Sequence, residues 1–104
     1  MRTLAVSTFM TLDGVMQAPG SPDEDTRGGF AHGGWATPYA DEVMVREMSK
    51  GFGNTELLFG RRTYEQFHAY WPNAPQLNPF TDVLNNTPKH VASRTLREPL
   101  PWAN

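Results

Sequence analysis

Hydrophobic and polar residues alternate over residues 2–9, with the two-residue period of a β-strand. Leu4, Val6 and Thr8 fall on one face, and Phe9 falls on the other. Because apolar residues occur on both faces, the pattern predicts a strand in the centre of a sheet.

The stretch that follows has no such period. Asp13-Gly14 predicts a turn, and residues 17–36 mix prolines, acids and five glycines without periodicity. A segment of this length without regular structure is uncommon inside a compact domain and often covers a functional site. We therefore expect a long loop over residues 17–36.

A helical pattern begins near residue 38. Apolar residues recur every four positions from Met44 to Phe52, and Thr37 offers an N-cap in front of a first-turn proline. A glycine at position 51 or 53 ends the pattern. The spacing predicts an amphipathic helix over roughly residues 38–50.

The second half of the chain reads as strand, helix, helix, strand. A short apolar run over 55–59 ends at Gly60, and aromatic residues then follow at helical spacing. Prolines between positions 72 and 79 predict a loop, and Asn78-Pro79 predicts a capped helical turn through Leu84. Lys89–Ser93 reads as the next strand.

The order of these elements predicts one α/β domain over residues 1–104. Strands separated by helices favour parallel neighbours joined by right-handed crossovers. Three strands are recognisable, at 2–9, 55–59 and 89–93. Helices should then cover both faces of the sheet.

Composition limits the class of protein. The chain has 104 residues, of which only twenty are Leu, Ile, Val or Phe, but its net charge of -2 and its aromatic content favour a folded chain with a small core. It contains no cysteine and therefore no disulfide framework, so a reducing, cytoplasmic location is expected. No segment reaches the length of a signal peptide or a membrane span, and a pI near 5.8 disfavours nucleic-acid binding.

Charge is distributed unevenly along the chain. Residues 1–60 carry eight acids and four bases, whereas residues 61–104 carry three acids and five bases. An anionic ligand is therefore expected on the second half. Ordinary surface scatter is the alternative explanation, because the charges are few.

The strand end at Gly60 is the most informative position. A glycine there allows a ligand to approach the backbone, and the helix that follows presents N–H groups with a partial positive charge. Two fixed cations and a hydroxyl come next in the chain, at Arg61, Arg62 and Thr63. The pattern predicts a phosphate-binding site; the alternative is a plain turn with Thr63 as a capping residue.

The next predicted strand ends in a similar sequence, Ser93-Arg94-Thr95. Ligands of open α/β sheets bind at the carboxyl ends of the strands. Two strand ends with arginine and hydroxyl side chains could hold two phosphates of one dinucleotide. The Ser-Arg-Thr sequence carries little information by itself.

Other chemistry finds little support. The chain contains no P-loop, no HExxH and no GxSxG sequence, so metal-dependent and covalent catalysis are not indicated. The acids at 23–25 lie near His32, but consecutive acids in a glycine-rich loop are typical of a solvated surface. His68 and His90 occur singly and read as surface or structural residues.

Taken together in chain order, these motifs resemble the dihydrofolate-reductase-like superfamily. The resemblance rests on residues 60–65, on 93–95 and on the early Thr-Leu-Asp-Gly-Val at 11–15. The chain is most similar to a bacterial branch of this superfamily, which is grouped with the C-terminal reductase domain of the bifunctional riboflavin-biosynthesis protein. Members of this branch often have an acidic, glycine-rich loop that contains His-Gly-Gly-Trp. Here that loop spans Gly28–Trp35.

The resemblance implies an NADPH-dependent reductase of a small heterocycle of the pterin, folate or riboflavin-precursor pyrimidine type. It implies that the turn from Gly60 to Thr63 takes cofactor phosphates, and that Ser93 and Arg94 receive the adenosine 2′-phosphate. For riboflavin biosynthesis, the reaction would be that of a 5-amino-6-(5-phosphoribosylamino)uracil reductase. A homodimer is common for this architecture.

The resemblance also implies residues near the reacting ring. By this resemblance, the residues beside the nicotinamide would be Thr8, Asp13 and Gly14. Asp41 corresponds to the carboxylate that binds the substrate in folate reductases. As catalytic residues we therefore expect Asp13 and Asp41. The alternative for Asp41 is an ordinary acid at a helix N-terminus.

Family members continue past the Ser-Arg-Thr strand end with further strands and a glycine-rich turn. The comparison therefore predicts that this chain is the front portion of a reductase domain. The alternative function is a non-catalytic fragment that acts as a nucleotide-binding module or in self-association, through pairing of an incomplete sheet edge with a second copy.

Overall fold

The computed structural model describes residues 2–52, 55–74 and 79–102. The chain divides into two compact units, Met1–Ala40 and Asp41–Asn104, here called the N-terminal unit and the C-terminal unit. That residues 1–104 form one domain stays a prediction. Among the described residues, the longest helix has ten residues, and none has the length and apolar character needed to cross a bilayer.

The C-terminal unit contains all the regular helices and strands of the described residues. In chain order they are α1 (Glu42–Ser49), β1 (Leu57–Gly60), α2 (Arg61–Tyr70), α3 (Pro79–Asn86) and β2 (Lys89–Ala92), with a 3-10 turn at Trp71–Asn73. The order from β1 to β2 agrees with the order expected from the sequence. Asn78, the expected cap of α3, lies outside the described residues.

The two strands pair in parallel, with Leu57 opposite Lys89 and Gly60 opposite Ala92. The intervening helices make the connection that a parallel pair requires. This arrangement confirms the expected α/β class with parallel neighbours, at the level of a two-stranded sheet. A complete dihydrofolate-reductase-like sheet stays a prediction.

The core of the C-terminal unit is a small cluster of large side chains. Its buried members are Leu57, Tyr64, Leu84 and Trp102. Side chains from α1, β1, α2 and β2 and from the segments beside them pack around it as partly buried neighbours, including Met48, Phe52, Phe59, Phe67, Trp71 and Val91. The helical stripes recognised in the sequence therefore face this cluster.

Tyr64 and Trp102 join two distant parts of the chain. The Tyr64 hydroxyl donates to the Trp102 carbonyl oxygen at 3.0 Å and accepts from the Trp102 backbone N–H at 2.9 Å. The Trp102 indole N–H donates to Asn85 Oδ1 at 3.0 Å. Residue 102 thereby fastens the segment after β2 onto α2 and α3.

Helix α1 begins later than the sequence predicts. Its N-cap is Asp41, whose carboxylate accepts from the Met44 backbone N–H at 2.8 Å, and Thr37 instead lies in a 3-10 turn, Thr37–Tyr39. The helix ends at Ser49, before Gly51, while position 53 lies outside the described residues. An aspartate cap is favoured at this position because its carboxylate satisfies an N–H group that the helix leaves free.

The prediction of a central strand over residues 2–9 is wrong for the described structure. Residues 2–10 have no assigned strand, and Leu4 and Val6 are exposed. Alternation makes a segment suitable for a sheet, but strand formation also requires a neighbouring strand to bond with. Between described residues, the backbone of 2–10 makes no hydrogen bond with other backbone groups.

The expected long loop over 17–36 is confirmed, with one short 3-10 turn at Arg27–Gly29. Its polar side chains hold it together: the Gln17 amide donates to the carbonyls of Asp25 at 3.1 Å and Arg27 at 2.9 Å, and the Trp35 indole donates to the Gln17 carbonyl at 2.8 Å. Two of the acids at 23–25 belong to the same framework, since Glu24 accepts from the Gly20 N–H at 2.6 Å and Asp25 accepts from the Arg27 N–H at 3.1 Å.

Glycine is required at the closest crossing of this loop. A Cβ on Gly33 would lie 2.5 Å from the Pro22 carbonyl oxygen, and Gly34 has a φ of +80°. The Gly34 N–H donates to the Ala18 carbonyl at 2.8 Å, across the same crossing. The loop is thus a compact structure with its own tight packing.

Candidate functional site

The parallel register brings the two motif-bearing strand ends to the same edge of the sheet. Gly60 pairs with Ala92, so the chain leaves β1 toward Arg61 and leaves β2 toward Ser93 at one level. The sequences that predicted phosphate binding are therefore neighbours in space. This edge is called the strand-end site below and consists of residues 60–63 and 93–95.

The N-terminus of α2 supplies partial positive charge to the strand-end site. Its cap residue, Gly60, provides no side-chain hydrogen bond, and no acid occurs in the first turn. The first N–H groups of a helix have no partner within the helix and carry the positive end of its dipole. A Cβ on Gly60 would meet no atom within 4 Å, so the space beside this backbone is open.

Arg61 connects the two halves of the strand-end site. Its Nη1 donates to Thr95 Oγ1 at 3.0 Å, across 34 residues of sequence. Its Nε lies 3.8 Å from Glu65 Oε2, a partly solvated pair on the same helix. The guanidinium is held between the strand ends while retaining further N–H donors, as a guanidinium carries five.

Ser93 shapes the loop that follows β2. Its Oγ accepts from the backbone N–H groups of Thr95 and Leu96, both at 3.1 Å. The Ser93 oxygen therefore accepts hydrogen bonds from its own loop, while the hydroxyl proton can be donated to another acceptor. The nearest hydroxyl oxygen described for it is that of Thr95, 3.4 Å away. Arg94 is exposed in this loop, and its carbonyl accepts from Arg97 Nη1 at 3.2 Å.

The remaining residues of the strand-end site are exposed on the first turn of α2. Arg62 and Thr63 are both accessible to solvent there. Together with Arg61, Arg94, Ser93 and Thr95, they give the strand-end site three guanidinium groups and three hydroxyl-bearing residues. Arginine and hydroxyl donors of this kind fit the oxygens of a phosphate group.

An open cleft of about 290 Å³ runs beside β2 and the segment after it. His90, Ser93, Leu96 and Arg97 are among its lining residues. His90 Nε2 lies 2.7 Å from Glu56 Oε2 on the neighbouring segment. Ser93 belongs to both the cleft and the strand-end site, so the two share this residue.

Lys89 is a residue whose burial the sequence does not predict. The side chain is only 7 % exposed, and its Nζ donates to the Thr87 carbonyl at 2.8 Å and lies 4.3 Å from the centre of the Trp102 ring. Burial lowers the pKa of Lys89. The role of Lys89 is structural, because carbonyl and aromatic partners hold its ammonium inside the unit.

Three further predicted residues lie in the N-terminal unit. Thr8 is exposed, with its hydroxyl 3.4 Å from the Phe9 carbonyl, and Gly14 has a φ of +93° in the turn at 11–15. Asp13 accepts from the Thr11 hydroxyl in this turn, and that hydrogen bond is the main reason why the pKa of Asp13 is lowered. A carboxylate stabilised in its charged form is a poor proton donor near neutral pH.

Asp41, the other predicted catalytic carboxylate, begins the C-terminal unit. Its side chain is exposed and is committed to capping α1 through the Met44 N–H. Its geometry is thus that of the alternative interpretation, an acid at a helix N-terminus. One carboxylate oxygen accepts the capping bond, and the role of Asp41 as a catalytic residue stays a prediction.

No protein-family model matches the chain, and no curated protein matches it either. Among the described residues, there is also no group of three or more His, Cys, Asp or Glu side chains suited to a metal ion. The chemistry of the strand-end site therefore carries the functional argument. That chemistry is cationic and rich in hydrogen-bond donors, which suits an anion.

Proposed function

We propose that this protein is an NADPH-dependent reductase of a small heterocycle and that the strand-end site holds the cofactor's phosphates. The observation that carries the proposal is the hydrogen bond from Arg61 to Thr95, which joins the two sequences expected to bind phosphate. Ligands of parallel sheets bind at this end of the strands. The bacterial reductase branch that the sequence resembles supplies the identity of the cofactor.

The donor set of the strand-end site fits a dinucleotide with several phosphates. The first turn of α2 offers backbone N–H groups, and the open space beside Gly60 admits a ligand close to the chain. On the β2 side, Ser93 offers a hydroxyl proton and Arg94 an exposed guanidinium. A 2′-phosphate bound by Arg94 would distinguish NADPH from NADH.

Bound NADPH would supply a hydride for a C=N or C=O carbon of the heterocycle. The chain's own part is to hold the cofactor by its phosphates and to fix its position. Thr8, Asp13 and Gly14 are proposed near the nicotinamide on the resemblance alone, and so is a substrate of the pterin, folate or riboflavin-precursor type. Asp41 is proposed as the substrate-binding carboxylate on the same ground.

Replacing Arg94 with alanine tests the assignment of the 2′-phosphate. A lost hydrogen-bonded charge contact of about 1.5–3 kcal/mol corresponds to roughly 10- to 100-fold weaker NADPH binding. NADH binding should change little, because NADH lacks the phosphate that Arg94 contacts. Calorimetric titration of the full chain with each cofactor measures both affinities.

Arg46→Ala is the matched control, since Arg46 is an exposed arginine on α1, outside the strand-end site. It should leave both affinities unchanged. Equal losses of NADPH and NADH affinity in Arg94→Ala would contradict the proposed role of Arg94. A wild-type chain that binds neither cofactor would contradict the proposal as a whole.

A nucleotide-binding module without redox chemistry is the second candidate. This candidate is favoured because the whole strand-end site lies in the C-terminal unit, whereas the residues expected near the nicotinamide, Thr8, Asp13 and Gly14, belong to the N-terminal unit. Competition experiments separate the two: ATP should displace a bound nucleotide as well as NADPH does if this candidate is correct. Oxidation of NADPH by a pterin or pyrimidine acceptor, followed by nicotinamide absorbance, supports the reductase instead.

A further inference from the structure

We propose that the open cleft beside β2 binds a free α-amino acid with an aliphatic side chain. The cleft has a volume of about 290 Å³ and is lined by residues of β2 and of the segment that follows it. Apart from Ser93, its lining residues take no part in the strand-end site. Small-molecule sites combine an apolar surface with a few well-placed polar groups, and the lining of this cleft provides both.

The apolar part of the lining is held in place by the core of the C-terminal unit. It consists of Val91, Leu96 and Leu100, each a partly buried side chain that packs against the core cluster. The core therefore fixes the position of these three side chains. An aliphatic group of a ligand can lie against them and bury apolar surface.

Arg97 gives the cleft a positive charge. Its Nη1 donates to the carbonyl oxygens of Arg94 at 3.2 Å and Leu96 at 3.4 Å, and these bonds hold the guanidinium. Among the described residues, Arg97 has no acidic ion-pair partner, and its Nε and Nη2 donate to no other group. Nε and Nη2 form one edge of the guanidinium, which can bind both oxygens of a carboxylate.

Glu98 gives the same cleft a negative charge. Within the described part of the chain, its carboxylate forms no ion pair, neither with Arg97 nor with any other base. A carboxylate with both oxygens available accepts hydrogen bonds from an ammonium group. One cleft therefore carries two opposite charges that do not neutralise each other by direct contact.

These two charges and the apolar lining together select the class of ligand. A simple anion would leave Glu98 without a charged partner, and a simple cation would leave Arg97 without one. An α-amino acid carries a carboxylate and an ammonium on the same carbon, so it can pair with both residues while its side chain lies against the aliphatic lining.

The volume of the cleft agrees with an amino acid of medium size. Because a water occupies about 30 Å³ in the liquid, the cleft of about 290 Å³ has room for roughly ten atoms of that size, and leucine has about nine non-hydrogen atoms. The cleft is open, so its ion pairs stay partly solvated and contribute little each. We therefore expect weak binding, with dissociation constants of roughly 0.1–10 mM.

Three ligands with the same side chain separate the two charges. L-Leucine should bind about three- to tenfold more tightly than isocaproate, which lacks the ammonium, or isopentylamine, which lacks the carboxylate. Titration of the full chain, followed by nitrogen–proton NMR correlation spectra, measures binding in this range. The amide signals that shift should be those of residues 89–100.

Two variants connect each charge to its residue. Arg97→Gln should weaken leucine binding and leave isopentylamine binding unchanged, whereas Glu98→Gln should weaken leucine binding and leave isocaproate binding unchanged. Both side chains are exposed, so the fold should be retained. Arg46→Gln and Glu42→Gln remove the same charges from the exposed surface of α1 and should bind leucine like the wild type.

Four outcomes would overturn the proposal. Leucine could shift no amide of residues 89–100 up to its solubility limit, or both cleft variants could bind leucine like the wild type. Isocaproate could bind as tightly as leucine, which would make the cleft a simple anion site, or isopentylamine could do so, which would make it a cation site. The titrations contain no NADPH, so their failure is distinct from failure of the reductase proposal.

Discussion

Each of the two units is stabilised by a different kind of internal interaction. The C-terminal unit encloses a cluster of aromatic and aliphatic side chains, among them Tyr64 and Leu84, which are almost fully buried. In the N-terminal unit, Ala18 is the buried apolar residue among those described, and hydrogen bonds from Gln17 and Trp35 close the loop. One unit thus relies on burial and the other on polar contacts within a loop.

This difference predicts different responses to mutation. Burial of apolar surface is the main favourable contribution to folding, so the C-terminal unit should lose most when a core side chain is shortened. Net contributions from individual hydrogen bonds are smaller, and the N-terminal unit depends on many of them together with a few tight glycine positions. The following variants test the comparison, in order of expected effect.

The largest effect is expected for Leu84→Ala. Leu84 is 1 % exposed and belongs to the core cluster, so its truncation should lower the free energy of unfolding of the C-terminal unit by about 2–5 kcal/mol. Urea denaturation followed by circular dichroism measures the change. Leu12→Ala, at a fully exposed leucine of the N-terminal unit, is the control and should shift stability by less than about 0.5 kcal/mol.

A comparable result for the two leucine variants would contradict the assigned core. It would mean that the cluster around Leu84 does not determine the stability of the C-terminal unit.

An intermediate effect is expected for Gly33→Ala. The added Cβ would lie 2.5 Å from the Pro22 carbonyl oxygen, which requires a backbone shift and should cost about 1–3 kcal/mol locally. Amide hydrogen exchange at Gly34 and Ala36, whose N–H groups donate to Ala18 and Pro19, measures the opening of the loop. Gly60→Ala, where the new Cβ meets nothing within 4 Å, should leave exchange in its own unit unchanged.

If Gly33→Ala left the protection of these two amides unaltered, the tight crossing at Pro22 would not be what holds the loop.

The smallest effect is expected at Asp41. Asp41→Ala removes the cap of α1 and should destabilise the helix by about 1 kcal/mol, whereas Asp41→Asn keeps a capping oxygen and should be nearly neutral. Helix content by circular dichroism and unfolding by urea measure this. If Asp41 is catalytic, Asp41→Asn should fold normally but lose catalytic activity, because the amide keeps the capping oxygen and lacks the charge of the carboxylate.

The C-terminal unit was largely predictable because its signals are local. The run at Leu57–Gly60, the spacing of Tyr64 and Phe67, and the prolines around the next helix each indicate one element within a few residues. Trp102 was not predictable as a core residue, since its position depends on a contact with Tyr64 38 residues away. Burial of Lys89 has the same cause, because Trp102 and carbonyl groups cover it.

The strand expected over residues 2–9 shows where sequence patterns fail. Alternation of Leu4 and Val6 with polar residues describes which faces a strand would have, but a strand exists only where another strand bonds to it. The position of the helix cap was missed for a related reason. Both Thr37 and Asp41 can cap a helix, and only the path of the backbone decides between them.

Part of the candidate site followed from general rules and part did not. That Gly60 and Ser93 come to the same sheet edge follows from parallel pairing of consecutive strands. The bond between Arg61 and Thr95, and the use of the Ser93 oxygen by its own loop, depend on side-chain rotamers that no pattern encodes.

The link between Tyr64 and Trp102 also determines when each unit can form during synthesis. The core cluster cannot close until β2 and residue 102 have been added, because Leu57, Tyr64 and Trp102 come from distant parts of the sequence. The backbone hydrogen bonds that hold the N-terminal unit, by contrast, join residues up to 40 and need no residue of the C-terminal unit. During synthesis, the hydrogen-bonded loop of the N-terminal unit can therefore fold before Trp102, the aromatic partner of Tyr64 on α2, has been added to the chain.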